Sequence, residues 1–478
     1  MMAALCLSAA MVVGQTRGAG PVQPATISPA PAPSPAALTP DPRPDPETDA
    51  LPAPFGVLQV GDPEPLPDTL PDSAAKPVEP PAQQPVNVNV FVPPVSAPAP
   101  AAVTKAATPA DRWFVMKELQ GTWPGYLLET SRVSVSGWTE GTFTASSDRF
   151  SNLPMGFNYK ANQFLLQQNW LRVERAVDQT ATTPTFGFRA DTILPGSDYR
   201  FTVARGLFFG QLTSNNGGPE LYGIDPIQFY AEAYFPQLGR GTDIKVGRFF
   251  SQYGAESNDT TQVPFVSRSY SFIYDPFTHT GILATTKLTD AWSVQNGLAT
   301  GCDVFIDPVA NPTYICSVKW APPGGRDSVL VSVIICNGRF DQARQFHNPE
   351  IFDLVYTHKF SDRLNYTLDA LYGFTTNANG GDGQFVGFAD WWATVHYLSY
   401  QLTPRLTGNA RLEFFDDVQG QRTGFAGLYV VPTVGVTFKP WRSVWLRPEV
   451  RFDYNTESRP FEDKHGLFTA TSDLVVRW

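Results

Sequence analysis

The sequence predicts an all-β protein, a transmembrane antiparallel β-barrel of about 16 strands preceded by a disordered Pro-rich segment. Three observations lead there. Residues 443–455 (SVWLRPEVRFDYN) place Val444, Leu446, Pro448, Val450, Phe452 and Tyr454 on one face of a strand. Arg447, Glu449, Arg451 and Asp453 fall on the other face, because successive strand side chains point to opposite sides. Residues 363–374 and 405–414 repeat this alternation. Tight turns and long connections then alternate along the chain, and the last residues, Leu474-Val-Val-Arg-Trp478, form an apolar alternation closed by an aromatic. Alternation alone does not say which face meets water. A soluble sandwich hides its apolar face, whereas a membrane barrel turns that face to lipid and keeps the polar one for its lumen. Segregation of the tight turns to one end favours the barrel, since a sandwich has no reason for it. Strands of about ten residues suit a tilted bilayer crossing.

Composition agrees. The chain has 478 residues, of which 17% are charged and 13% aromatic, with a net charge of −10. Charge is low against the roughly 25% usual in soluble domains. No apolar run is long enough for a transmembrane helix, and the acidic balance argues against nucleic acid as a partner. The four cysteines show no metal-ligand spacing, and nothing calls for a cofactor.

In chain order, residues 1–20 read as an export signal. Positions 3–14 (AALCLSAAMVVG) have the length of its apolar core and lack a basic start, which points to a start site upstream. Residues 21–110 hold most of the 44 prolines and read as a disordered linker or a periplasmic spacer. Residues 111–129 contain DRWFVMKELQ, a short helix at the barrel entrance or a docking segment, ended by GTWPG.

Residues 130–478 form the barrel. Residues 287–292 (KLTDAW), 359–364 (KFSDRL) and 401–406 (QLTPRL) are tight turns, with variants at 235–243 and 438–445. Long connections rich in Gly, Asn and Asp fall at 337–349, 375–384, 416–424 and 455–466. A direct count gives about seventeen strands, and a bacterial barrel needs an even number. Assigning residues 195–223, which include YRFTVARGLFFG, to an external excursion restores parity.

Gly137-Trp-Thr-Glu140, LRVERAV (171–177), FRAD (188–191), VGRFFSQYGAE (246–256) and SYSFIYDPFTHTG (269–281) together resemble the OmpL-like β-barrel porin family of bacteria with outer membranes. The resemblance runs from about Gly137 to the end. It implies an outer-membrane porin for ions and small hydrophilic solutes, without naming a solute. Leu474, Val476 and Trp478 then read as an insertion signal for the barrel-assembly machinery, with outer-membrane lipid as the surrounding partner. A homo-oligomer and a monomer both remain open.

Pores need a constriction. The connection between the strand ending near Phe249 and the one starting near Thr280 is the longest, and Glu256, Arg268 and Asp275 are expected to line the narrowest point. Strand parity adds Asp243, Lys245, Asp369, Arg411, Glu413, Arg447, Glu449 and Arg451 to the lumen, because an Arg facing mid-membrane lipid costs about 2–4 kcal/mol. Arg248 shares parity with Ile244 and Val246, which places it at the headgroup rim or after a bulge. Cys302 and Cys316 flank residues 305–313, so a disulfide between them is one reading and buried thiols the other. Two rival functions are a structural anchor with a Pro-rich arm and an enzymatic barrel. The five histidines (His279, His347, His358, His396 and His465) sit in no recognisable catalytic motif.

Overall fold

The computed structural model describes residues 113–212, 220–306, 312–336, 349–376 and 378–478. The segments expected to be export signal and Pro-rich linker lie outside the described residues. Sixteen strands form a closed barrel in which each pairs antiparallel with its neighbours in sequence. They are β1 (Ser134–Ser146), β2 (Gln163–Arg175), β3 (Thr185–Gly196), β4 (Gly223–Phe235), β5 (Thr242–Phe250), β6 (Thr278–Lys287), β7 (Trp292–Ala299) and β8 (Thr313–Trp320). They continue as β9 (Asp327–Cys336), β10 (Glu350–Lys359), β11 (Leu364–Thr376), β12 (Phe388–Thr403), β13 (Leu406–Asp417), β14 (Gly427–Trp441), β15 (Val444–Asn455) and β16 (Gly466–Arg477). Closure is made by β1 on β16, in a register that sets Trp138 opposite Arg477 and Ser146 opposite Thr469. Closure matters physically, because an open strand edge in hydrocarbon would leave backbone groups with no partner.

The alternation that sequence left ambiguous is resolved on β15. Leu446, Val450, Phe452 and Tyr454 are 39–43% exposed, while Arg447, Glu449, Arg451 and Asp453 are 0–5% exposed. The apolar row faces outward. Exposed Trp292, Phe360, Tyr400 and Trp441 ring the tight-turn end, and exposed Phe143, Phe164, Phe388, Trp392 and Phe468 ring the other, two aromatic girdles flanking an apolar band. Both ends of the barrel segment lie at the tight-turn end, which is the periplasmic one.

The excursion between β3 and β4 lies where parity required it. Instead of a strand, YRFTVARGLFFG supplies a one-turn helix, Tyr199–Thr202, and a 3-10 turn, Phe209–Leu212. Before β1, sequence suggested one short helix and the structure has two, α1 (Phe114–Glu118) and α2 (Trp123–Thr130). GTWPG, read as a terminator, begins the second one. Thr122 caps it by accepting from Gly125 N at 3.2 Å, and Pro124 sits in the first turn, where its missing N–H costs nothing. Trp113, just before α1, stacks on Arg477 at 4.0 Å and on Arg442 at 4.7 Å, which docks this segment at the periplasmic mouth.

The outward row predicts a depth-dependent cost. Val450→Arg, near the middle of β15, should lower barrel stability by about 2–4 kcal/mol, and Leu446→Arg, nearer the periplasmic turn, by less. Unfolding by guanidinium in detergent micelles measures both, and the reverse order would contradict this placement of the strand.

Candidate permeation site

Residues 251–277, between β5 and β6, fold into the barrel instead of standing on its rim. Apart from a 3-10 turn, Thr260–Gln262, and a one-turn helix, Tyr270–Ile273, this loop has no regular structure. Its buried N–H and C=O groups therefore need partners from elsewhere. The barrel wall supplies them by charge type. Glu449 on β15 accepts from Val266 N at 2.7 Å and Ser267 N at 3.0 Å. Glu413 on β13 accepts from Tyr270 N and Ser271 N at 2.9 and 2.8 Å. Asp353 on β10 takes Gly254 N at 2.9 Å, and Asp369 on β11 takes Ala255 N at 2.7 Å.

Arginines do the complementary work. Arg447 donates to the carbonyls of Thr260 and Val263 at 2.7 and 2.8 Å, Arg411 donates to Ser267 O at 2.9 Å, and Arg451 to Arg268 O. Buried charges must also be paired. Arg411 meets loop residue Glu256 at 2.7 Å, Arg447 meets Glu140 at 3.1 Å and also Asp473, and Arg451 meets Asp453 at 2.6 Å. On the other side, Arg172 of β2 bridges Asp191 at 2.8 Å and loop residue Asp259 at 3.0 Å.

Above the loop, toward the external end, the lumen is filled by apolar and aromatic side chains. Tyr253, Tyr270, Phe272 and Phe277 of the loop pack with Phe157 and Phe201 from other external connections and with Trp391, Phe415 and Tyr429 from the wall. Below the loop, toward the periplasm, two cavities open among the tight turns. One, of about 680 Å³, lies against β3–β8 and is lined by Arg189, Glu232, Asp243 and Lys245 among others. The second, of about 670 Å³, lies against β10–β15. Loop residue Gln262 lines both, so the loop stands between them.

A family model described as "Putative beta-barrel porin-2, OmpL-like" matches residues 132–477. The chain belongs to that family. It is a bacterial outer-membrane porin, and its outward face meets outer-membrane lipid. No curated protein matches it in sequence. Among solved structures it is similar to the anion-selective porin from Comamonas acidovorans, with TM-score 0.49 and 8% identity over 72% of this chain and 99% of that one. It is also similar to the outer membrane channel DcaP of Acinetobacter baumannii, with TM-score 0.45 and 13% identity over 72% and 97%. OmpT of Vibrio cholerae gives TM-score 0.46 and 9% identity over the same shares. Anion selectivity is a property of that Comamonas porin.

In this porin Asp369, Arg411, Glu413, Arg447, Glu449 and Arg451 lie on the inner wall beneath the loop, and Asp243 and Lys245 line the first cavity. Glu256, Arg268 and Asp275 lie on the loop and are at most 3% exposed, so they do not edge open space. Arg268 donates to the carbonyls of Ser257, Phe265 and Val266 within the loop itself. Asp275 accepts from Trp391 Nε1 at 3.1 Å, and burial pushes its carboxyl up to about 8. Glu256 meets Arg411 and Tyr397 of the wall and accepts from Ser269 N, so wall and loop groups together claim these side chains.

Cys302 is not bridged to Cys316. Cys302 is a buried thiol among the aromatic side chains, and Cys316 is disulfide-bonded. Flanking the same connection does not bring the two together, because the β7–β8 register sets Cys316 opposite Asn296, well before Cys302. Arg248 is fully buried, paired with Asp225 at 2.7 Å and donating to Thr202 O at 2.6 Å. Leu474 and Val476 are exposed on the outer face of β16. Trp478 exchanges backbone hydrogen bonds with Gly137 at 2.9 Å, and a Cβ on Gly137 would come within 2.5 Å of its ring. A bare glycine is thus the seat of the terminal aromatic.

The sequence reading missed the aromatic plug. Its signal was present on β13, where Phe415 shares the face of Arg411 and Glu413 at the external end. An aromatic on the charged face has no lipid to meet.

Removing the wall acceptors tests the fastening of the loop. Glu449→Ala leaves two loop N–H groups without a carboxylate, a loss of about 1–3 kcal/mol. Single-channel recording of Glu449→Ala and of the Glu413→Ala/Glu449→Ala pair should show larger and noisier currents than the parent. Currents indistinguishable from the parent's would separate the loop from the constriction.

Proposed function

We propose that this porin passes ions and small hydrophilic solutes by passive diffusion through a passage narrowed by the loop at 251–277 and its aromatic cluster. The observation that carries the reading is the inner wall. It carries buried rows of charge, borders cavities edged by charged side chains and stands inside a closed barrel whose outer face is apolar. Loop and cluster occupy much of the cross-section, so the passage is small. In the same reading the barrel is not an enzyme. His358 and His396 hydrogen-bond Asp327 at 2.7 Å and Tyr366 at 2.8 Å on the outer face, away from any lumenal substrate. Leu474, Val476 and Trp478 present the closing strand to the assembly machinery, and the barrel assembles as a homo-oligomer.

Purified protein in a planar bilayer is expected to give discrete, small single-channel steps. Liposome swelling is expected to proceed with monosaccharides and to fall off steeply for larger oligosaccharides. A protein that inserts and folds but conducts nothing would leave the structural-anchor reading in its place.

A further inference from the structure

The two periplasmic cavities are alike in size and differ in how far their cations are offset by carboxylates. In the first, cations face carboxylates. Lys245 lies 3.6 Å from Glu232, Arg240 lies 3.2 Å from Asp290, and Arg189 lies 3.0 Å from Asp191. In the second, Lys359, Arg363, Arg405 and Lys439 surround the mouth, and Asp362 is the sole carboxylate in its lining. None of these four cations is ion-paired among the described residues. They come from different elements that the barrel brings together, namely the ends of β10 and β14 and the turns after β10 and β12.

The interior of this cavity is neutral, with hydroxyl and amide groups set among apolar side chains such as Val263, Pro264 and Val355. Thr357 and Thr367 share a hydrogen bond at 3.2 Å, Ser399 donates to Asn409 at 2.8 Å, and Asn409 donates to Thr437 at 3.0 Å. Thr437 in turn donates to the loop at Pro264 O, 2.9 Å away. Cationic charge at this end is also carried on aromatic surface. Lys439 lies 3.7 Å from the centre of the Trp445 ring, and Arg477 lies 5.4 Å from it. Two cations share one indole there, with no acid between them.

Unpaired cations at a narrow mouth between low-dielectric walls concentrate anions and repel cations. A wall of hydroxyl and amide groups then offers hydrogen bonds to a hydroxylated solute without binding it tightly. We propose that the β10–β15 compartment is the porin's entry for small hydrophilic anions, hydroxylated solutes bearing a carboxylate or phosphate. The β3–β8 compartment, where five cations stand among four carboxylates, contributes much less of that preference. This inference rests on the diffusive-porin reading above.

The test is the reversal potential of the full barrel in a planar bilayer under a potassium chloride gradient, repeated with potassium gluconate. Anions should be favoured by about tenfold at low salt, with the preference shrinking as the Debye length shortens. The variant Lys359→Gln/Arg363→Gln/Arg405→Gln/Lys439→Gln should abolish most of that preference. Arg363→Glu/Arg405→Glu, confined to exposed turn positions, should shift it toward cations even where the fourfold variant folds poorly. The control Arg240→Gln/Asp290→Asn in the other compartment should leave it unchanged. Open channels whose reversal potential is the same in parent and variants would overturn the anion compartment and leave the porin intact. Absence of any channel from well-folded parent protein would instead overturn the porin reading.

Discussion

Backbone amides and carbonyls removed from water must find partners, and this barrel meets that requirement in two ways. The strands satisfy one another all the way round, so no edge faces hydrocarbon. The loop at 251–277 has no such ladder, and the inner wall satisfies it with side chains. Carboxylates of β10, β11, β13 and β15 accept its N–H groups, and arginines of β13 and β15 donate to its carbonyls. Charge-assisted bonds of this kind are stronger than neutral ones. A chain segment without regular structure is thereby held across the lumen as a fixed element.

This use of the wall changes what its charge does. A charge that faces open water in a pore acts on passing ions, whereas one locked to a loop backbone acts on them weakly. Arg411, Glu413, Arg447, Glu449 and Arg451 are of the second kind. The charged groups left facing the cavities are others, such as Lys245 with Glu232 on one side and Arg363 with Arg405 on the other. Breaking one wall contact exposes a buried charge and two backbone groups together, which makes the loop's position cooperative.

The external half follows from a different force. Where the loop crosses the lumen, aromatic side chains gather on its external side. Tyr270 stacks against Tyr429 with centroids 4.7 Å apart, and Phe157 against Phe201 at 5.2 Å. Five external connections and eight strands contribute to this one cluster. The loop is thus held by polar contacts from below and beside it and by apolar packing from above.

The barrel, its strand number, the end that bears the tight turns and the identity of the inward charged row were all legible in the sequence. Each follows from a period of two or from local turn chemistry, and a strand such as 443–455 carries that pattern within its own length. What the inward charges touch was not legible. Glu449 and Val266 are 183 residues apart, and Glu413 and Tyr270 are 143 apart. Their meeting depends on closure, on register and on the path of an irregular loop, none of which has a local signature. The same holds for the seat of Trp478 on Gly137, for the separation of Cys302 from Cys316 and for the division of the lumen into two unlike compartments. Periodicity determines which way a side chain points, and only the closed barrel decides what it finds there.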